Sequence, residues 1–151
     1  MTCLIKVVKS ELLSKMLKSI KTSEANRSVV AGLTSKLGMG PENLIARIAF
    51  AHSISQGRKL NLSDMQDSKG KEYSSKVLFG DYSAFYIAIV CQHYGLHKTD
   101  YDIPKYIKMH IDDGLSLISE IVQENPNLPL FDFIIDQINE GLEALQMSTN
   151  V

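Results

Sequence analysis

The stretch LGMGPENLIARIAF, from Leu37 to Phe50, most constrains the fold, because a helix stop and a helix start follow each other closely in it. Leu37 closes an apolar helical pattern, and Gly38 can take the left-handed conformation that ends a helix. Gly40 and Pro41 follow, and Pro41 suits the first helical position because it has no N–H to leave unpaired. The stretch predicts a tight helical hairpin. Its second N-terminus is open and can receive an anion, because its N–H groups are free and the helix dipole is positive there.

Charge is strongly segregated along the chain, although the net charge is only −1. Residues 1–76 contain 13 Lys and Arg against 6 Asp and Glu, a net of +7. Residues 77–151 contain 3 against 11, a net of −8. Such asymmetry indicates a polyanionic partner at the basic end, such as a nucleic acid. The alternative is that the charges are solvated or neutralise each other between protomers.

Apolar periodicity predicts a mostly helical protein. Ser23 is the expected N-cap of the first well-supported helix, and Gly95 is expected to end the third. Residues 56–76 form the longest polar connection. The predicted helices run from Ser23 to Leu37, Pro41 to Ser55, Ser83 to Tyr94 and Pro104 to Gln123, with a last helix after Pro129.

The last helix contains apolar residues at 4-3-4-3 spacing, which is typical of a coiled-coil seam. These residues are Phe131, Ile135, Ile138, Leu142 and Leu145.

Two further stretches carry a family resemblance: DSKGKEYSSKVLFGDY, from Asp67 to Tyr82, and HIDDGLSLI, from His110 to Ile118. Together with the hairpin, they resemble the DndE family, the small subunit of bacterial DNA phosphorothioate modification systems. The resemblance covers roughly residues 17–118. It divides the chain into an N-terminal extension at 1–16, a DndE-like helical DNA-binding domain at 17–125 and a C-terminal amphipathic helical tail at 126–151.

The resemblance and the local pattern disagree near the N-terminus. The resemblance implies a ribbon-helix-helix-like start, in which Leu17 to Ser23 contains a short strand. Helical spacing of apolar residues favours a helix over Glu11 to Ile20 instead. Either way, we expect a compact, mostly α domain with at most one short N-terminal strand and an extra C-terminal helix.

The resemblance also implies a function. It points to a homotetramer that holds duplex DNA, preferring nicked duplex, while partner proteins insert sulfur. Those partners would be a cysteine desulfurase, a PAPS-reductase-like iron–sulfur enzyme and an ATPase. Basic side chains flanking the two matched helices would neutralise phosphates with little sequence preference. The candidate DNA-binding residues are Lys15, Lys18, Lys21, Arg27, Lys36, Gly40, Asn43 and Arg47.

One residue is unfavourable for DNA binding at this site, and two other functions are possible alternatives. Glu42 lies just inside the second helix, where its carboxylate would compete with a phosphate for the same N–H groups. A ribbon-helix-helix transcriptional regulator would share the groove-binding geometry but prefer one palindromic sequence. A protein–protein adaptor would use the Phe131–Leu145 seam to dock a partner helix.

Catalytic and metal-binding patterns are weak. Cys91 follows an apolar run toward a helix C-terminus, where the dipole disfavours a reactive thiolate. His93 and His97 are four residues apart, but Gly95 interrupts the helix between them. No Walker motif, G-x-G-x-x-G or Ser/His/Asp arrangement is visible. We therefore expect no enzyme activity, no metal and no cofactor.

The third matched piece is interpreted structurally. Asp112 and Asp113 are adjacent on a helix and diverge by about 100°, so they do not share a site. We expect them to be solvated or paired with a basic neighbour. His110 is expected to be a structural hydrogen-bonding residue and Gly114 a point of close packing.

An aromatic group lies between residues 73 and 86. We expect it to form a packed core with hydroxyl groups at the surface, although stacking on unpaired bases is the alternative. Its members are Tyr73, Phe79, Tyr82, Phe85 and Tyr86.

Length and composition fit one cytoplasmic domain. At 151 residues the chain can bury one core. No apolar run approaches the ~20 residues that cross a bilayer. The start lacks a signal-peptide pattern, and the two cysteines, Cys3 and Cys91, suit a reducing compartment.

Overall fold

A computed structural model describes residues 17–149 of the chain. Short 3₁₀ turns lie at Leu62–Asp64 and Gly80–Tyr82. The architecture is mostly α, as predicted. The elements are β1 (Ser19–Lys21), α1 (Ala25–Leu37), α2 (Glu42–Ser55), β2 (Glu72–Ser74), α3 (Ser75–Phe79), α4 (Ser83–Tyr94), α5 (Ile103–Glu124) and α6 (Leu130–Thr149).

The core is built around α2 and α5. Apolar side chains of α5 at 4-4-3 spacing, such as Ile107 and Ile111, are fully buried, and Ala49 of α2 is buried against the same helix. A Cβ on Gly114 would lie 1.8 Å from the carbonyl oxygen of Ala49. Gly114 is therefore the close-packing point that the sequence predicts, because only glycine lets the two backbones approach this closely.

The helical hairpin forms as predicted. Gly38 ends α1 in the left-handed region, with φ 65°, and its N–H donates to the carbonyls of Ser35 and Thr34. Pro41 is extended, with φ −76° and ψ 141°, so α2 begins one residue later than predicted, at Glu42. The proline occupies the N-cap position, where its carbonyl accepts the N–H of Leu44.

The N-terminal strand follows the resemblance, and the helix favoured by the local pattern over Glu11 to Ile20 is wrong for residues 17–20. β1 pairs antiparallel with β2, and Ile20 lies opposite Tyr73 with both side chains buried. The expectation of at most one strand is also wrong, because β2 lies within the polar connection. Pairing across the chain outweighs the local helical spacing here. Residues 11–16 of the proposed helix lie outside the described residues.

The first turn of α1 is capped by distant residues, and the predicted N-cap is wrong. Glu24 occupies the N-cap position, and the Ser23 hydroxyl has no hydrogen-bond partner. The Ser23 N–H instead donates to Asp112 of α5 at 2.9 Å, and the Glu24 N–H donates to Asp67 at 3.0 Å. The Asp67 carboxylate accepts the backbone N–H groups of Glu24 and Lys69, and these two hydrogen bonds lower its pKa. Tertiary acceptors thus replace the local cap.

The later helices match the sequence closely. α4 has the predicted bounds and ends at Gly95, whose φ is 70°. α5 extends one residue beyond the prediction at each end. Within α6, Phe133 is the buried residue, and the rest of the helix is largely exposed.

None of the helices described within residues 17–149 is long and apolar enough to cross a membrane.

Candidate nucleic-acid interface

The outer face of the β1–β2 ribbon carries polar and charged side chains. Lys21 lies opposite Glu72, and Lys21 Nζ is 3.4 Å from the Glu72 carboxylate. The Ser19 hydroxyl donates to the same carboxylate at 2.7 Å. This hydrogen bond, together with Lys21, lowers the pKa of Glu72. Lys18 precedes the strand with an exposed side chain, and its carbonyl accepts the N–H of Ser75.

Lys71 connects the ribbon to the first turn of α2. Its Nζ lies 2.9 Å from the Glu42 carboxylate. The pair answers the objection that Glu42 raises at the sequence level, because the carboxylate is directed to a lysine. No side chain within residues 17–149 caps the first N–H groups of α2. The first N–H groups of an α-helix have no partner one turn earlier and carry the positive end of the dipole, and among those of α2 the Leu44 N–H donates to the Pro41 carbonyl. We name this region, formed by Lys18, Lys21, Lys71 and residues 38–43, the ribbon–turn surface.

The structure brings only some of the predicted residues together. Lys21 and Gly40, which has φ 77°, belong to the ribbon–turn surface. Lys36 is exposed two residues before Gly38 and borders that surface. Arg27 is exposed too, but it is nine residues from Lys36, which on a helix turns it about 180° away. Lys15 lies outside the described residues.

Asn43 and Arg47 use their side-chain donors inside the protein. Asn43 Nδ2 donates to the Val77 carbonyl at 3.0 Å. Arg47 Nη2 donates to the same carbonyl at 3.0 Å, and Arg47 Nε donates to the Leu78 carbonyl. These bonds satisfy carbonyls near the end of α3, which would otherwise lack partners. The narrow polar face of α2 therefore holds α3 in place.

Sequence reasoning missed Lys71. It lies in the second matched stretch, and its significance depends on β2, which the sequence did not predict. Lys105 lines, with Lys21 and Lys108, a groove of about 270 Å³ between β1, residues 65–68 and the start of α5. Asp102 accepts a hydrogen bond from Lys105 at 2.6 Å, and this bond raises the pKa of Lys105.

His110 is the centre of a buried hydrogen-bond chain, as expected for a structural residue. Its Nε2 lies 2.7 Å from the Tyr94 hydroxyl, which in turn accepts the Leu60 N–H. Its Nδ1 lies 2.7 Å from Ser53 Oγ. Because Ser53 donates to the Asp113 carboxylate, its oxygen accepts from His110 Nδ1–H, which leaves Nε2 to accept from Tyr94. The chain therefore requires a neutral imidazole.

The pKa of His110 agrees with that neutral form. Burial, followed by the neighbouring His93 ring, lowers it from 6.5 to about 4. The ring centroids of His93 and His110 are 5.5 Å apart, and His93 Nε2 lies 2.9 Å from the Arg58 carbonyl. Asp113 acts in the opposite direction, but its charge is shared with Arg58, which donates to both of its oxygens.

Asp112 points into a second buried cluster, so the adjacent carboxylates do diverge. Its carboxylate accepts from Lys108 Nζ at 2.6 Å and from Asn26 Nδ2 at 2.8 Å, besides the Ser23 N–H. Asp112 and Lys108 are each 5% exposed. Both aspartates are thus paired with a basic neighbour, which is one of the two expected alternatives. Asp112 is not solvated.

The remaining candidate groups have ordinary structural surroundings. Cys91 is partly buried, and burial raises the pKa of its thiol. His97 bonds Thr99 at 2.8 Å, away from His93. Within residues 17–149, no three His, Cys, Asp or Glu side chains are grouped to hold a metal ion.

The aromatic group between residues 73 and 86 is partly buried and partly exposed. Tyr73 and Phe79 are buried and Tyr86 packs 4.2 Å from the Phe79 ring, as a core requires. Tyr82 and Phe85 are 71% and 65% exposed, so the packed-core prediction is wrong for these two. The Tyr73 hydroxyl is buried without a hydrogen-bond partner, so the expectation that the hydroxyl groups lie at the surface is wrong for this residue.

The greater part of the chain matches one protein family. The family model described as DndE, DNA sulphur modification protein DndE, matches residues 19–125. The chain belongs to the DndE family. The match includes the ribbon, the hairpin and the His110 and Asp112 clusters, and it ends before α6. No curated protein matches the sequence.

A solved structure shares the DndE fold. DndE from Escherichia coli B7A, described as involved in DNA phosphorothioation modification, aligns with a TM-score of 0.55 at 16% identity. The alignment covers 96% of that chain but 67% of this one. This DndE chain is therefore longer than the aligned bacterial protein.

Proposed function

We propose that this chain is a non-catalytic DNA-binding subunit of a bacterial DNA phosphorothioation system. It holds duplex DNA, including nicked duplex, while partner proteins of the system carry out the sulfur chemistry. Those partners are a cysteine desulfurase, a PAPS-reductase-like enzyme and an ATPase, and the subunit works as a cytoplasmic homotetramer. Membership of a family described by DNA sulphur modification supports the setting of this proposal.

The ribbon–turn surface is the observation that carries the proposal. It combines an uncapped α2 N-terminus with lysines on the adjacent ribbon. Lys18 and the neighbouring Lys36 form no ion pair within residues 17–149 and are exposed, so they are available to phosphates. Such contacts position a protein on DNA without reading the bases.

A non-catalytic role fits the chemistry of the titratable groups. The buried carboxylates and His110 are all engaged in internal hydrogen bonds. Burial raises the pKa of the Cys91 thiol, which opposes a nucleophilic thiolate at neutral pH. The sulfur chemistry is therefore assigned to the partners.

The intramolecular ribbon favours this function over a ribbon-helix-helix regulator. Such a regulator builds its DNA-reading ribbon from the strands of two protomers, whereas β1 here pairs with β2 of the same chain. A regulator would also prefer one sequence by roughly 4–10 kcal/mol over bulk DNA.

The test is binding of the purified full chain to intact and nicked duplexes of unrelated sequence across a salt series. We expect affinity that ignores sequence and falls with salt at a log–log slope of about −0.9 per neutralised phosphate. The double variant Lys18→Ala/Lys36→Ala should make the slope shallower by roughly 2 and weaken binding to every sequence alike.

Lys98→Ala is the matched control. Lys98 is equally exposed but follows α4 in the acidic half of the chain, so its replacement should leave the slope unchanged. Absence of binding at low salt would refute the proposal. Equal losses in the control and the double variant would refute the ribbon–turn surface as the site.

A further inference from the structure

The C-terminal helix α6 carries an exposed apolar stripe that the DndE-like domain does not cover. The stripe consists of the seam residues, which are 41–73% exposed; they are Phe131 (73%), Ile135 (41%), Ile138 (56%), Leu142 (52%) and Leu145 (63%). α6 attaches to the domain by its opposite side, where Phe133 is buried with its ring centroid 6.3 Å from that of His52. Most of the stripe therefore faces away from its own domain, while Ile138 borders the groove between α6 and α2.

We infer that α6 pairs with α6 of a second copy of this chain, through the stripe from Phe131 to Leu145. A 4-3-4-3 repeat matches the 3.5-residue period at which two helices interlock side chains along a shared seam. A helix is thus the partner that this spacing fits.

The charges on α6 identify a second copy as that helix. All charged residues of α6 are acidic: Asp132, Asp136, Glu140 and Glu143. At about 100° per residue, each lies about 100° or more from the centre of the stripe. The positions that flank the stripe are mostly uncharged, among them Asn139, Gly141 and Gln146. Two copies can therefore meet along the stripe with their acidic residues pointing apart.

The same arrangement disfavours other occupants. DNA is repelled, because α6 has four carboxylates and no Lys or Arg. A basic partner docked on the stripe could reach Asp132 at the flank, but Asp136, Glu140 and Glu143 are turned about 120° or more from the centre of the stripe. Charge complementarity across the flanks, which sets partner choice in heterodimeric coiled coils, is absent.

The available area suffices for self-pairing. With the exposures given above, the stripe presents on the order of 500 Å² of side-chain surface per chain, so two copies would bury on the order of 1,000 Å², which is the lower bound for a specific interface. A groove of about 290 Å³ between α2 and α6, lined by Ile48, Ile134 and Ile138, extends the apolar surface beyond the stripe.

The test is the mass of the full chain in solution, without DNA, so its outcome is independent of the proposed DNA binding. We compare the wild type with Ile138→Asp/Leu142→Asp across a protein concentration series by sedimentation equilibrium. Because both side chains are exposed, the variant should fold, which far-UV circular dichroism checks. We expect the wild type to have at least twice the mass of the variant.

The control is Ala144→Asp/Met147→Asp, which adds the same two charges about 140° or more from the centre of the stripe. It should keep the wild-type mass. Equal masses for all three proteins would overturn the inference, and so would the same loss of mass in both double variants.

Discussion

Acidification from pH 7 to pH 5 should destabilise this protein through His110. The imidazole accepts from Tyr94 and donates to Ser53, and this arrangement is possible only for the neutral ring. The titratable or charged groups that face it are His93 and Arg58, which oppose its protonation, and Asp113, which favours it. Burial is the largest of these effects, so His110 stays neutral in the folded state at a pH where the unfolded chain takes up a proton.

The magnitude follows from the two pKa values. The pKa of His110 falls from 6.5 to about 4 on folding. Between those values the unfolded state binds more protons, so stability is complete above about pH 6.5 and is lost as the pH falls toward 4. At 1.36 kcal/mol per pKa unit, the loss is about 2 kcal/mol at pH 5 and approaches about 3 kcal/mol below pH 4.

The assay is urea unfolding at a fixed protein concentration at pH 7, 6 and 5. His110→Gln keeps an acceptor for the Tyr94 hydroxyl but cannot titrate, so its stability should vary less with pH than that of the wild type by about 2 kcal/mol. His97→Gln is the matched control, because His97 is exposed and bonds Thr99 locally. It should retain the full wild-type dependence.

The reasoning fails if wild type and His110→Gln lose the same stability between pH 7 and pH 5. Should His110→Gln not fold, the pKa of His110 in the wild type can be measured directly by following its ring protons by NMR. A value near 6.5 would contradict the buried neutral ring.

Two pairs of substitutions test the packing and the buried charges. Gly114→Ala should cost about 3 kcal/mol, because the added Cβ meets the Ala49 carbonyl, whereas Gly141→Ala on α6 meets nothing within 4 Å and should stabilise that helix by up to about 1 kcal/mol. Urea unfolding measures the stability of Gly114→Ala, and amide exchange in α6 measures that of Gly141→Ala. If both substitutions stabilised or both destabilised the protein, the packing argument would be contradicted. Asp112→Asn should cost about 3 kcal/mol in urea unfolding, because it leaves buried Lys108 unpaired, and adding Lys108→Met should recover most of the loss. A double variant no more stable than Asp112→Asn would contradict that explanation.

The helices could be predicted because their signals are local. The left-handed Gly38 and Gly95 end α1 and α4 where the sequence places them. The apolar spacing of α5 is sustained over 22 residues, so its bounds are predicted to within one residue. Gly114 was identified by family resemblance, and the structure supplies its physical reason.

The ribbon could not be predicted, because its signals are distant. β1 and β2 have three residues each, and Ile20 meets Tyr73 across 53 positions of sequence. Three residues are too few for an alternating pattern to stand out from the helical spacing beside it. The true caps of α1, Asp67 and Asp112, are similarly remote, so the local Ser23 was predicted instead.

Only part of the candidate site could be predicted, because the contacts of several of its residues are also remote in sequence. Sequence shows that Asn43 and Arg47 share a polar face of α2, but not that the carbonyls of Val77 and Leu78 lie opposite it. A polar face toward DNA and a polar face toward carbonyls look alike in a single sequence. Lys71 became a candidate only once β2 placed it beside Glu42.

The fold separates the lysines of the ribbon–turn surface from the acidic half of this nearly neutral chain. Several acidic residues of the C-terminal half are neutralised within the domain, Asp112 by Lys108, Asp113 by Arg58 and Asp102 by Lys105. Of the eight other acidic residues in that half, four lie on α6, outside the family match. The lysines of the ribbon–turn surface are thus largely separated from the acidic half, and DNA that approaches α6 is repelled. Under the proposed function, the acidic tail would direct DNA to the ribbon side of the molecule, and this electrostatic effect would weaken as salt rises.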